Sequence, residues 1–139
     1  MSWAETAVHR LDEAGYRSGA ARREVIELLA AEPCAVTALE IDSRLDSVGR
    51  ASVYRTLDQL EQLRLVQRVE IGGDAAGYER VDGGEHHHHL VCEQCGRLAP
   101  FSDRSLERAI EAVSRAADFE VAAHDVVLRG RCPDCKTAA

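Results

Sequence analysis

Cys92-Glu93-Gln94-Cys95 and Cys132-Pro133-Asp134-Cys135 form two CxxC pairs with 36 residues between them, and Cys34 stands apart. Five cysteines is an odd number, and the acid-containing start of the chain has no apolar run of the secretory kind, so a disulfide framework does not fit. A thioredoxin-type redox centre needs one CxxC at the head of a helix in a βαβ unit, which is not the setting here. Two CxxC knuckles supply four thiolates, the soft tetrahedral set that selects zinc and fills all its positions. Cys92, Cys95, Cys132 and Cys135 are therefore expected to hold a structural zinc ion, while Cys34 reads as a small buried hydrophobe.

His86-His87-His88-His89 runs directly into Leu90-Val91-Cys92. The run lies inside the chain and opens what reads as a strand, so neither a terminal tag nor a merely solvated face is the preferred explanation. Side chains alternate along a strand, which turns His86 and His88 one way and His87 and His89 the other. One tetrapeptide can thus seed two metal sites, each completed from elsewhere, and Glu79, Glu107 and His124 are the available candidates. Imidazoles with at most one carboxylate favour zinc, nickel, copper or iron(II) over magnesium or calcium. His9 reads as a surface residue.

The elements that must position these groups follow from periodicity. Residues 3–14 carry Trp3, Ala7, Val8 and Leu11 at helical spacing and stop before Gly15, and residues 20–31 carry Val25, Ile26, Leu28 and Leu29 and stop at Pro33. A short helix fits 37–45, where Thr37 and Glu40 make a capping box, and a fourth fits 50–64 with Val53, Leu57, Leu60 and Leu63 on one face. Strands are expected at 65–71 and 77–82, joined by the turn Gly72-Gly73-Asp74. Short helices followed by a hairpin make a winged helix-turn-helix, with 50–64 as the recognition helix. Its exposed face would carry Arg50, Ser52, Tyr54 and Arg55, groups able to reach phosphates and base edges.

Composition changes after Gly83-Gly84-Glu85. Beyond this hinge, strands are expected at 96–101 and 119–129 and a helix at 103–117, giving a small α+β domain. About 54 residues bury little core, so a zinc staple would make up the deficit. The strand from Phe119 to Leu128 is also a candidate for pairing with a second chain. The expected division is thus a winged-helix domain at 1–82, a hinge at 83–85, and a dimerisation and metal-binding domain at 86–139, α+β overall.

Charge needs a local reading. The chain carries −7 overall, yet residues 43–68 hold five arginines against three acids. An acidic total lowers non-specific affinity for DNA without excluding a specific site. Apolar stretches fall far short of the roughly 20 residues that span a bilayer, so no membrane association is expected and a cytoplasmic location is.

These residues together resemble the ferric uptake regulator (Fur) family of metal-responsive repressors. The likeness covers nearly the whole chain and rests on Arg17 to Leu29, on Ser52-Val53-Tyr54-Arg55-Thr56-Leu57, on the run from His86 to Gly96, and on the terminal Cys132 and Cys135. It implies a winged helix, a hinge and a dimerisation domain, and adds Arg17 and Arg22 to the DNA-contacting set. It also implies three metal sites: the four cysteines, a dimerisation-domain site of His86, His88, Glu107 and His124, and a regulatory hinge site of Glu79, His87 and His89.

The resemblance is incomplete at the hinge. The family's iron and peroxide sensors add a histidine where this chain has Ala35 beside Cys34, and an acid where it has Pro100. A site that loses a carboxylate while gaining histidine, with a thiolate available at Cys34, is softer and smaller in coordination number, which moves preference from six-coordinate iron(II) or manganese(II) towards tetrahedral zinc. The four-histidine run is likewise similar to the family's zinc uptake regulators, although those commonly place a cysteine in the wing, where this chain has Tyr78-Glu79-Arg80-Val81. The expected function is that of a homodimeric regulator in which Zn2+ is structural and Zn2+ or Fe2+ is regulatory, repressing metal-uptake genes by binding palindromic double-stranded DNA. The competing readings are an iron-responsive repressor and a zinc-buffering or metal-transfer protein without DNA recognition. An enzyme with a small-molecule substrate is not expected, because no HExxH motif is present and a zinc hydrolase wants an open coordination position with a nearby base.

Overall fold

The computed structural model describes residues 1–72, 75–81 and 87–137, and divides the chain into two compact units, Met1–Gly84 and Glu85–Ala139. The expected hinge at 83–85, the turn residues Gly73 and Asp74, and His86 lie outside the described residues.

The first unit contains α1 (Trp3–Glu13), α2 (Ala20–Ala31), β1 (Val36–Thr37), α3 (Ala38–Arg44), α4 (Arg50–Gln62), β2 (Val66–Gly72) and β3 (Ala75–Arg80). The helices form where apolar periodicity and capping coincide. Ser2 caps α1, accepting from Glu5 N–H while the Glu5 carboxylate accepts from the Ser2 backbone, a complete capping box. These bonds to Ser2 also hold the Glu5 carboxyl below its ordinary pKa. Thr37 caps α3 by accepting from Glu40 N–H at its hydroxyl, and that hydroxyl in turn donates to the Glu40 carboxylate. The two-residue β1 is too short to show any periodicity in the sequence.

Gly15 closes α1 in the left-handed region at φ +85°, and Arg64 does the same for α4 at φ +59°. In both turns a following N–H reaches back to the helix, from Tyr16 to Leu11 and from Leu65 to Leu60. Without the latency of a glycine, Arg64 accepts a conformation that ordinary side chains rarely adopt, because the reversal into β2 demands it.

The core of this unit joins all four helices to the sheet. Leu11, Ile26, Leu29, Ile41, Leu57 and Leu60 are essentially inaccessible to solvent, and burial of each such side chain contributes about 1.5–3 kcal/mol. Trp3 ties α1 to the start of the sheet by donating from Nε1 to the Leu65 carbonyl at 3.0 Å. The three strands are ordered β1-β3-β2, antiparallel throughout, with Val36 opposite Tyr78 and Gln67 opposite Glu79.

Arg22, which the resemblance adds to the DNA-contacting set, is buried within the first unit. It is only 6% exposed, donates to Asp12 Oδ1 at 2.8 Å, and also donates to the Tyr16 and Arg17 carbonyls. Its guanidinium braces the α1–α2 connection. Arg22→Ala is expected to cost about 1–3 kcal/mol in urea denaturation. The half-exposed Asp12 holds the loss towards the lower end. Unchanged stability together with weakened DNA binding would keep Arg22 in the DNA-contacting set.

The second unit contains β4 (His88–Cys92), β5 (Leu98–Phe101), α5 (Arg104–Ala116), β6 (Val127–Gly130) and α6 (Pro133–Thr137). Its sheet is ordered β5-β4-β6, with β5 antiparallel and β6 parallel to β4, so α5 lies in the crossover. Asp103 caps α5 by accepting from Leu106 N–H at 3.0 Å.

The expected strand at 119–129 is reduced to Val127–Gly130. Among the described residues, the parallel pairing with β4 begins at His89 opposite Val127. Among the described residues, Val91 and Cys92 are the buried apolar side chains of this unit, while His88 and His89 are 1% exposed. Val113, Phe119, Val121 and Leu128 remain open to solvent in the single chain. Among the described residues, no helix is long and apolar enough to cross a membrane.

Candidate functional site

The first donor cluster is built by β4 and β6. Their register sets Cys92 beside Gly130, which brings the knuckle after β4 against the segment leading into α6. Cys92 ends the strand, Cys95 follows in a turn closed by Gly96 at φ +80°, and Cys135 rides on α6. Gly96 N–H returns to the Cys92 carbonyl at 2.9 Å, and a side chain at this left-handed position would be strained. One ligand atom from each of Cys92, Cys95, Cys132 and Cys135 lies within 4.8 Å of the others, as the CxxC spacing predicts.

The donor chemistry fits zinc. Cys95 and Cys132 sulfurs are 3.8 Å apart, and a tetrahedral set with Zn–S near 2.3 Å has edges of about 3.8 Å. Backbone N–H groups of Cys95 and Cys132 point at the Cys92 sulfur at 3.4 and 3.3 Å. These bonds lower the Cys92 pKa to about 6, so the thiolate form is already favoured there. The neighbouring Cys132 thiol, followed by burial, pushes Cys135 up to about 12. Four crowded sulfurs cannot all ionise without a cation, and a divalent ion is what would let them do so.

The second cluster is also internal to this unit. Glu107, in the first turn of α5, is bracketed by two imidazoles. His88 Nε2 lies 2.5 Å from Oε1 and His124 Nε2 lies 2.7 Å from Oε2. The Val126 N–H donates to His88 Nδ1 at 3.2 Å, and the ring packs against Phe101 with centroids 5.5 Å apart. The His88 hydrogen bond, opposed by burial and supported by His124, holds the Glu107 carboxyl below its ordinary pKa. His124 reaches this position from an irregular segment rather than from the expected strand. His88, Glu107 and His124 thus form a ready donor triad. The expected fourth member, His86, lies outside the described residues.

Glu107→Gln should remove one bound metal per monomer after dialysis and leave the thiolate-bound zinc in place, as read by elemental analysis. A neutral amide both coordinates more weakly and loses its charge complementarity with the cation. Unchanged stoichiometry would mean that the triad is a hydrogen-bonded brace only.

The remaining expected ligands are distributed over the two units. In the first, Glu79 on β3 is 3% exposed and its carboxylate accepts from Gln67 Nε2 on β2. A carboxylate oxygen of Glu79 and the Cys34 sulfur lie within 4.8 Å of each other. In the second, His87 and His89 meet edge to face, with ring centroids 4.9 Å apart and a nitrogen from each within 4.8 Å. Pro100 stands directly opposite His89 in the β4–β5 register, where it offers no oxygen donor from a side chain. The proximity of Cys34 to Glu79 had no sequence signal, since the two are brought together only by the pairing of β1 with β3.

The helix-turn-helix places its expected face as the periodicity requires. Val53, Leu57 and Leu60 are buried, while Arg50, Tyr54 and Arg55 are exposed and Ser52 is half-buried. Arg50 pairs with Asp42 on α3 at 3.1 Å. Such a solvent-exposed pair is worth at most about 1 kcal/mol, so exchange for a phosphate is inexpensive. Arg17 is exposed just before α2.

The chain matches the ferric uptake regulator family over residues 13–129. A ferric uptake regulation protein of Legionella pneumophila is 40% identical over 91 residues, which span 66% of each chain. A second, from Vibrio anguillarum, is 30% identical over 133 residues, or 91% of this chain and 89% of that one. The chain therefore spans about two thirds of the length of the first relative and most of the second. The crystal structure of the Vibrio cholerae ferric uptake regulator superposes with a TM-score of 0.80 at 28% identity, covering 89% of this chain and 98% of that one. A zinc-bound manganese uptake regulator superposes at 0.76 and 25% identity, covering 95% and 99%.

Proposed function

Because the chain belongs to the ferric uptake regulator family, we propose that it is a metal-dependent DNA-binding repressor of metal-uptake genes that works as a homodimer and responds to zinc. The observation that carries this reading is the combination, in one chain, of an arginine-bearing α4 face with donor clusters too numerous for a structural metal alone. Catalysis is not part of it.

The residues divide the work. Arg17, Arg50, Ser52, Tyr54 and Arg55 contact double-stranded DNA, phosphates first and base edges second. The open apolar side chains Val113, Phe119 and Val121 support burial against a second copy, which would present two recognition helices to a palindrome. Cys92, Cys95, Cys132 and Cys135 hold a structural zinc. Glu79 from the first unit and His87 and His89 from the second are the regulatory ligands, and a metal held by all three would restrict the orientations that the two units sample. DNA then favours the restricted state, and by linkage it tightens metal binding by the same factor.

Zinc is favoured by the donor set, since Pro100 removes an oxygen ligand beside His89 and Cys34 lies near Glu79. Iron(II) is the second reading, favoured by the names of the relatives from Legionella and Vibrio. The test is a titration of chelator-treated protein against a labelled fragment of its own promoter, with zinc, iron(II) and manganese(II) run in parallel without oxygen. Tight binding that begins only after the second or third zinc per monomer supports zinc sensing. A response to iron(II) alone replaces the metal and keeps the regulator. No specific binding with any metal would favour the metal-buffering alternative.

A further inference from the structure

We propose that Cys34 is itself a ligand of the regulatory metal, its thiolate standing beside the Glu79 carboxylate of the same unit. The inference rests on the hinge-site reading above and adds to it a sulfur donor.

The argument begins with the strand pairing. Val36 stands opposite Tyr78 and Thr37 opposite Gly77 in an antiparallel ladder. That pairing brings the segment just before Val36 alongside β3, and Cys34, in a bend rather than in the strand, meets Glu79, 45 positions later in the sequence. Cys34 is 8% exposed and Glu79 is 3% exposed, and their ligand atoms lie within 4.8 Å.

Cys34 is buried, and a carboxylate oxygen of Glu79 is a close neighbour of its sulfur. A thiol and a carboxylate at this separation are two donors that one cation can share. On binding, the sulfur–hydrogen bond is replaced by a sulfur–metal bond and the proton leaves to solvent.

Sulfur also changes what the site selects. One thiolate, two imidazoles and one carboxylate make four donors of the kind that zinc takes in tetrahedral geometry, whereas iron(II) and manganese(II) prefer more, and harder, ligands. The substitution of sulfur for a further nitrogen or oxygen donor therefore supplies a physical basis for zinc selectivity.

Cobalt(II) separates this site from the others by its spectrum. The full-length protein would keep zinc in its four-thiolate cluster, be stripped of other metal, and be titrated with cobalt(II). The His88, Glu107 and His124 triad contains no sulfur, so a near-ultraviolet thiolate-to-cobalt band would report Cys34. The band is expected in the parent protein and lost in Cys34→Ala, with Cys34→Ser as a volume-preserving check and circular dichroism to confirm the fold. Zinc affinity at this site should fall by more than the roughly tenfold lower bound seen for loss of an outer-sphere partner.

A band that is absent from the parent, or that survives Cys34→Ala, overturns the assignment of Cys34. If the double variant His87→Ala/His89→Ala still loses cobalt in that case, the hinge-site reading stands without sulfur. If the double variant retains the full cobalt stoichiometry and the Cys34-dependent band, both the four-ligand assignment and the hinge-site reading fail.

Discussion

Replacing Cys92 or Cys132 by serine is expected to unfold the second unit and leave the chain monomeric. Among the described residues, that unit buries just Val91 and Cys92 as apolar side chains, and two of its most buried groups are the histidines at 88 and 89. Hydrophobic burial on this scale cannot offset the entropy of ordering about fifty residues. Structural zinc in small domains contributes on the order of 10 kcal/mol or more at neutral pH, comparable with the whole stability of an ordinary domain. Cys92 is the most exacting position, because its sulfur receives the N–H groups of both knuckles. The first unit, with its own continuous apolar core, should remain folded. Circular dichroism, sedimentation and zinc content of one preparation test all three statements. A zinc-free Cys92→Ser protein that remains a folded dimer would refute the stapling role.

The double variant His87→Ala/His89→Ala is expected to abolish metal-dependent DNA binding while leaving the thiolate-bound zinc and the fold intact. A coupling of about 2 kcal/mol corresponds to roughly a 30-fold change in DNA affinity between metal-free and metal-loaded protein, and the variant should reduce that ratio to about 1. Residual DNA binding should be weak, metal-independent and strongly salt-dependent, since the α4 arginines are untouched. Fluorescence anisotropy with a promoter fragment, at fixed salt and with and without zinc, reads the ratio directly. Retention of the 30-fold response would move regulation to the His88, Glu107 and His124 triad, and Glu107→Gln would then be the variant that loses it.

Much of this was legible in one dimension. Two CxxC pairs specify four thiolates whatever the fold between them, because a cysteine knuckle is local and zinc completes the tetrahedron. The helices of the first unit were equally legible, because an amphipathic repeat and a capping residue such as Thr37 act within a few residues of one another. The strand period likewise separates His88 from His87 and His89.

What the sequence could not specify is every relationship that depends on register across elements. Glu107 meets His88 and His124 because α5 crosses from β5 to β6, and the 2.5 and 2.7 Å contacts are properties of that crossover. The strand expected at 119–129 shortened because β4 templates only the residues from Val127 onwards. Arg22 is held against Asp12 because the α1–α2 packing encloses it, a contact that no local pattern specifies. Cys34 reads as a hydrophobe by composition, and acquires a carboxylate neighbour only through the β1–β3 ladder. Periodicity and spacing determine which residues share a face, since those are short-range properties of the backbone. Which faces meet, and so which donors can share one ion, is decided by tertiary packing.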